Sequence, residues 1–339
     1  MALDGARFRS WVDQAARAPS AHNTQPARWR MTNAGIELHE DSTRWLSAGD
    51  RTARDQRVAL GMAWEALRLS ASADGWGLAE PTFDDVAWPA PNATLRRVAR
   101  AAIEPDAEAD SLAAWQARRH CWRGKFASAD ATARAAVLGV VRAHGDVALT
   151  LPEAATRALA DIYDRAAASI LADAPTAREL YQWMRFSRRD TRWMRDGLSA
   201  DCLALGIFEA RIASWLMRPN SLVWLRRCGL LSLLVSERAK TLSATCLVLI
   251  HADADASPFV VGRAWYRCWL GLTAAGFAAV PMSALVDEPQ AREELVRLTA
   301  LPPERIVCNV MRVGILPNST VPVSARLPTE DLILATTNA

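Results

Sequence analysis

The segment GMAWEALRLSASADGW at 61–76 aligns without a gap with GRAWYRCWLGLTAAGF at 262–277, an offset of 201 positions. Gly61 and Gly262, Ala63 and Ala264, Trp64 and Trp265, Leu69 and Leu270, Ala73 and Ala274, and Gly75 and Gly276 are identical pairs. Each copy reads as an apolar helix closed by a glycine at the C-cap position. Each is followed by a strand-like segment, LRRVARAAIEP at 95–105 and RIVCNVMRVGILP at 305–317. Two matches in the same order point to one supersecondary unit built twice. The 339 residues therefore read as two similar halves, 1–110 and 111–339, and not as unrelated domains.

Between the copies, Leu159 to Ala244 has no counterpart in the first half. It is nearly all helix-compatible and carries Trp183, Trp193, Trp215 and Trp224. A helical insertion of this kind either covers a site or caps a core. Nothing in the composition prevents the whole chain from ordering, since 51% of the residues are hydrophobic and 23% charged.

Near the N-terminus, Phe8, Trp11, Val12 and Ala15 recur at helical spacing, and Pro19 ends that helix near Ala18. After the loop APSAHNTQPA, Trp29 and Met31, an Asn33-Ala34-Gly35 turn, and Ile36 and Leu38 read as a hairpin. The expected fold class is α+β, with a mixed or antiparallel sheet in each half and a long helical interface between them.

Charge and cysteine usage narrow the partners. Forty Lys plus Arg against thirty-seven Asp plus Glu give +3, too little to indicate nucleic-acid binding. The bases are mostly Arg, whose planar fork suits phosphate or carboxylate. Six scattered cysteines without a C-x-x-C read as reduced thiols, and no cluster suggests a metal. MALDGARFRS resembles no signal or transit peptide, so a cytoplasmic protein is expected. The most apolar window, Ser221 to Val235, contains Arg226 and Arg227 and is too short to span a bilayer; no membrane partner is expected.

The segment Ala18-Pro-Ser-Ala-His-Asn-Thr-Gln-Pro26 follows the first helix. Asn23 and Gln25 carry carboxamides able to meet alternating donors and acceptors, and Ser20 offers a hydroxyl. This APS-x-x-N-x-QP pattern resembles the flavin-contacting loop of the nitroreductase-like flavoprotein superfamily, with Pro19, Ser20, Asn23 and Gln25 at the matching positions. Family members usually have Trp directly after QP; here Ala27 stands there, with Trp29 two positions on.

Arg119-His-Cys-Trp-Arg-Gly-Lys-Phe126 is similar to the family's R-x-S/T-x-R segment, in which the arginines hold the FMN phosphate and ring. Arg119 and Arg123 match, while Cys121 replaces Ser or Thr and weakens the donor. Pro281-Met282-Ser283 resembles the segment passing the reactive face of the ring, and Arg326 the late arginine that reaches the phosphate. The loop occurs only in the first half and the other three pieces only in the second. In homodimeric members each flavin is held by both chains, so a fused pair with complementary losses would keep one site. The resemblance is to the fused, single-chain branch and covers about Phe8 to Arg326, apart from the insertion.

It implies an FMN-dependent oxidoreductase acting on a small-molecule substrate, with one FMN per chain, able to function as a monomer. NAD(P)H is a candidate transient reductant. A flavin-binding or storage protein with a sealed site, and a biosynthetic FMN dehydrogenase or oxidase, remain the alternatives. No residue is assigned a catalytic role. His22 and His120 read either as proton donors or as incidental loop residues, and Asp196-Gly197 as a helix cap or a substrate-side wall. G-x-G-x-x-G, P-loop, H-E-x-x-H and G-x-S-x-G patterns are absent.

Overall fold

The computed structural model describes residues 4–84, 94–231, 235–299, 301–318 and 324–335. The first helix, Gly5–Ala15, is capped by Asp4, whose carboxylate accepts from the Arg7 N–H at 2.8 Å. Its buried face, Phe8, Trp11, Val12 and Ala15, packs on the long Arg54–Ala73 helix. That helix in turn packs along Pro258–Ala274, the helix whose sequence it matches at an offset of 201 positions.

The two helices meet through their backbones. A Cβ on Gly61 would stand 2.0 Å from the Phe259 carbonyl oxygen, and one on Gly262 would stand 2.1 Å from that of Val58. Residues 58 and 259 are themselves related by the repeat offset, so the contact is reciprocal, like that at a two-fold axis. Gly75 and Gly276 follow the two helices with φ of +78° and +87°, as the repeated C-cap glycine requires.

The sheets resemble each other in part. In the N-terminal one, Ala27–Thr32 pairs with Gly35–Asp41, which pairs with Leu95–Ala101, which pairs with Thr82–Phe83; Ile103–Pro105 and Trp76–Leu78 form a separate two-stranded sheet. In the second, Ala148–Thr150 pairs with Cys246–Asp253, then Arg305–Gly314, then Ala278–Pro281. All these pairings are antiparallel. Both central pairs shift register just before a histidine, between Leu38 and His39 and between Ile250 and His251. A continuous core joins both sheets to the helix pair, with Trp29 6.1 Å from Trp64 and Trp64 6.2 Å from Phe259.

The halves differ in what covers the far face of each sheet. Gly35–Asp41 alternates in polarity over Ile36, Glu37 and Leu38, with Ile36 and Leu38 in the core and Glu37 half-buried, while the polar His39 and Glu40 are buried. Cys246–Asp253 is buried along nearly its whole length. Its Val248 and Ile250 face the helix-pair core, while Leu247 and Leu249 form a second core with Leu159, Ile162 and Ala166 of the Thr156–Ala172 helix. A strand apolar on both faces needs a layer on each, and the insertion supplies the second layer.

The additional chain fills the interval between the strands ending at Thr150 and beginning at Cys246. Its helical character is interrupted from 183 to 206, where helix was expected. Met184–Arg185 and Leu198–Ser199 form a short parallel pair there. Asp196 caps no helix: its carboxylate, 2% exposed, takes Arg185 at 2.8 Å, Arg192 at 2.6 Å and Arg44 at 3.3 Å. Burying that charge network overrides local helix propensity. None of the helices among the described residues is long and apolar enough to cross a membrane.

Candidate functional site

The loop, Arg119 and Arg326 come together, and residues 119–123 join them to the strand that ends at Pro281. His22, Asn23 and Gln25 adopt φ of 47°, 57° and 52°, a left-handed conformation costing roughly 1–2 kcal/mol for each non-glycine residue. Hydrogen bonds hold the loop in that shape. Ser20 Oγ accepts from the Gln25 N–H at 2.9 Å. Asn23 Nδ2 donates to the carbonyls of Ala325 and Gly197, and its Oδ1 accepts from Arg326. Gln25 Nε2 donates to the Arg195 carbonyl at 2.9 Å, while its Oε1 accepts from the buried Leu327 N–H at 2.8 Å. Both carboxamides thus tie the loop to the insertion and to the C-terminal segment. Pro19 stands at the turn out of the first helix. Trp29, two positions beyond the family's usual Trp, is buried in the core.

Residues 119–123 run beside Ala278–Pro281, with Cys121 bridging Ala279 in parallel and the Trp122 N–H donating to the Ala279 carbonyl at 3.2 Å. This lays Arg119, Cys121 and Arg123 alongside the chain that enters Pro281. Ser283 Oγ accepts from Asn309 Nδ2 at 3.0 Å. Met282 is turned into the second core, and its N–H is bonded to Val310.

The electrostatics are lopsided. Arg119, 6% exposed, donates to the Arg17 carbonyl at 2.9 Å and lies 4.8 Å from the centre of the Trp269 ring. Arg326 donates to the same carbonyl at 3.1 Å. The described ion pairs include none of Arg17, Arg119, Arg123 or Arg326. The Nε atoms of Arg17, Arg119 and Arg326 are buried without an acceptor. Burial and the neighbouring Arg119 pull the Arg326 guanidinium down to about 10. Burial and Arg123 push the His22 imidazole down to about 4, and burial with Arg119 lowers His120 too. Unpaired buried cations with orphaned donors are costly. A phosphate dianion would provide both countercharge and acceptors, so the residues present fit the phosphate end of FMN.

Sequence reading missed four neighbours of this cluster. Arg17, which directly precedes the APS motif, supplies the shared carbonyl. Trp269 supplies the ring under Arg119. Tyr266 donates to Gln116 at 3.3 Å, and burial pushes its phenol up to about 12. Only Arg17 had a local signal, its position beside the motif.

The repeat offset maps Tyr266 onto Glu65, Trp269 onto Arg68, Ala279 onto Leu78 and Pro281 onto Glu80. Glu65, Arg68, Leu78 and Glu80 line an open cleft of about 550 Å³ with Asp110, Arg263 and Arg267. Here every charge is matched. Glu65 takes Arg68 at 2.7 Å, Arg267 at 3.0 Å and Arg263 at 3.2 Å; Asp110 takes Arg267 and Arg68; Glu80 takes Arg263. A separate cavity of about 380 Å³, lined by Val58, Val261, Trp265 and Cys308 among others, contains none of the residues proposed from sequence.

No protein-family model matches the chain. Over 126 residues, 35% of this chain, it is 29% identical to a protein of Mycobacterium tuberculosis provisionally named an NAD(P)H nitroreductase, covering 36% of that relative. Over 68 residues it is 35% identical to a second provisionally named NAD(P)H nitroreductase, acg, of the same organism, covering 20% of each chain. The matches thus span about a third or less of these relatives. Among solved structures, an FMN- and NADPH-dependent nitroreductase from Sphigopyxis sp. strain HMH is 16% identical with a TM-score of 0.37, covering 67% of this chain and all of the other. A nitroreductase with bound FMN from Bacteroides fragilis is 14% identical with a TM-score of 0.33, covering 63% of this chain and 93% of that one.

Proposed function

We propose that this relative of the nitroreductases is an FMN-dependent oxidoreductase with a single cofactor site, at the junction of residues 17–25, 119–123, 281–283 and 326. The observation that carries the reading is the group of arginines, Arg119 buried and Arg17, Arg123 and Arg326 half-buried, without carboxylate partners among the described residues. Arg119 and Arg326 share one carbonyl, so they serve one anionic group, which we assign as the phosphate. Arg123, whose charge reaches His22, would hold the ring. Ser20, Asn23 and Gln25 set the shape of the loop, Pro19 and Cys121 define the turn and the strand edge, and Pro281–Ser283 would contribute from the end of the strand beside residues 119–123. Bound FMN supplies hydride or electron transfer, with a nicotinamide or other donor on one side of the cycle and a small electrophile on the other.

The internal repeat supports a fused pair of halves, and the ion network around Glu65 supports one site instead of two. Carboxylates at Glu65, Glu80 and Asp110 repel a phosphate and already satisfy the arginines there. A second reading, a flavin-binding protein with little turnover, is favoured by the hydrogen bonds from Asn23 and Gln25 to the carbonyls of Gly197 and Arg195, which press the insertion onto the loop.

The test is the absorption spectrum of purified protein, with released flavin counted per chain, before and after R119A and R326A. One FMN per chain is expected. Each substitution should weaken FMN binding by about ten- to a hundredfold, the equivalent of a charge-assisted hydrogen bond of roughly 1.5–3 kcal/mol. A colourless protein that takes up no FMN would overturn the proposal. Stopped-flow reduction by NADH and NADPH separates the readings: rapid bleaching marks a reductase, whereas slow bleaching by donors but fast bleaching by dithionite marks a sealed binder.

A further inference from the structure

The insertion carries a surface that neither the fold nor the proposed site uses. In the Ile207–Leu216 helix, Ile207, Phe208, Ile212 and Trp215 are 77%, 78%, 58% and 54% exposed. Phe208, Ile212 and Trp215 lie four and three positions apart and therefore share a helix face. In the next helix, Pro219–Arg227, Val223 and Trp224 are about half exposed. This apolar surface does not hold the insertion together. Leu222 and Leu225 do so from the inner side, in a small core with Leu171, Ala177 and Leu231. Helices apolar on both sides need a second apolar partner, since contiguous exposed patches of this kind mark interaction sites.

Charge identifies the partner. Arg211, Arg218, Arg226 and Arg227 are all exposed on or beside these two helices. From 203 to 231 the one acid is Glu209, whose carboxylate is spent accepting from the Gly206 N–H at 2.7 Å. Arg211 sits three positions after Phe208 and four before Trp215, and Arg227 three after Trp224, so cations interleave with the exposed rings. A second copy docked face to face would set these arginines against themselves, with no acid to meet them. We propose that this surface docks peripherally on an anionic lipid bilayer. The aromatic and aliphatic side chains enter the headgroup boundary while the arginines remain among the phosphates. This departs from the expectation of no membrane partner, and it is consistent with helices too short to span.

Co-sedimentation of the full-length protein with vesicles of phosphatidylglycerol and phosphatidylcholine, against vesicles of phosphatidylcholine alone, tests the assignment. Binding to the anionic vesicles is expected, weakened several-fold by 0.5 M salt as screening shortens the electrostatic range. R211Q, R226Q and R227Q should each lower the preference for anionic vesicles by about fivefold, because each cation near such a surface is worth about 1 kcal/mol. The double variant F208E/W215E should abolish binding to either vesicle. All of these side chains are exposed, and circular dichroism verifies folding. No sedimentation of wild-type protein with anionic vesicles would overturn the proposal. So would a concentration-dependent dimer in light scattering that F208E/W215E removes, which would assign the face to a second copy.

Discussion

Gly61→Ala probes the helix crossing on which the relation between the halves depends. On helix propensity alone the change should stabilise by about 1 kcal/mol. The structure opposes that gain. The added Cβ would lie 2.0 Å from the Phe259 carbonyl oxygen and 2.8 Å from its carbon, whereas ordinary contact begins at 3.4 Å. The obstacle is helical backbone, not a movable side-chain tip, so the helices must part by more than an ångström. A radial gap of about 0.5–1 Å forfeits a quarter to a half of each dispersion contact, and Trp64 and Phe259 sit at this crossing. Overpacking of this kind costs about 1–3 kcal/mol, more against a rigid wall. The net expectation is a destabilisation of about 2 kcal/mol, or a fall of roughly 3 °C in Tm for a chain of this size. Gly262→Ala should match it, since its Cβ meets Val58 at 2.1 Å. The double variant should fall short of the sum, because helices already parted by one methyl have room for the second. Thermal melts followed by circular dichroism measure all three. An unchanged or raised Tm for Gly61→Ala would refute the close backbone contact, and strict additivity would refute a shared crossing.

Gln25→Ala strands the buried Leu327 N–H and should cost about 1–3 kcal/mol in a urea melt, while also weakening FMN uptake by loosening the loop. Glu65→Gln should destabilise by about 2–3 kcal/mol, less than a wholly buried network would because Arg68, Arg263 and Arg267 are partly exposed. Burial raises the Glu65 pKa, but its three arginines outweigh burial and hold it below the ordinary value. The stabilisation is therefore present above the unfolded pKa and lost as pH falls through the folded one, so the acid loss of Tm below about pH 4 should shrink in Glu65→Gln. Asp50 has the opposite sign: burial and the nearby Asp55 push it up to about 6. Its contribution is full below the unfolded pKa and lost as pH rises through 6. Asp50→Asn, which keeps an acceptor for the Gln56 N–H, should flatten the decline in Tm between about pH 4 and 6.

Much of this architecture was legible because its signals are local. The Phe8–Trp11–Val12–Ala15 spacing, the Asn33-Ala34-Gly35 turn and the duplicated helix each produced the element expected. What escaped was non-local. The break in the insertion at 183–206 depends on Asp196 meeting Arg44, 152 positions away, an encounter that no window of sequence reveals. The docking of the insertion had a signal that could have been used: CLVLIHAD is apolar on both faces where GIELHED alternates, so only the second sheet demands an outer layer. At the candidate site, the loop, Arg119 and Arg326 singled out in the sequence lie together, but the sequence did not show the use of each atom. Asn23 and Gln25 have carboxamides suited to a ring edge, yet their donors and acceptors go to 195–197 and 325–327. Three left-handed residues in one loop need that support.

The two equivalent places left by the repeat differ in a way that explains itself chemically. Around Glu65, three arginines converge on carboxylates and every charge is met within the chain. At the related place, Tyr266 stands for Glu65 and contributes no charge, Pro281 stands for Glu80, and Arg119 and Arg326 are left facing each other across the Arg17 carbonyl. A folded chain tolerates such an arrangement when something outside it supplies the missing anion, because binding then recovers the cost of burying the two cations. The Glu65 cleft has no such debt, and an anion entering it would have to displace a carboxylate. Glu65, with Glu80 and Asp110, thus makes one of the two related places a structural ionic joint between the helices, while its neutral counterpart, Tyr266, brings no carboxylate to the other, where we propose that phosphate binds.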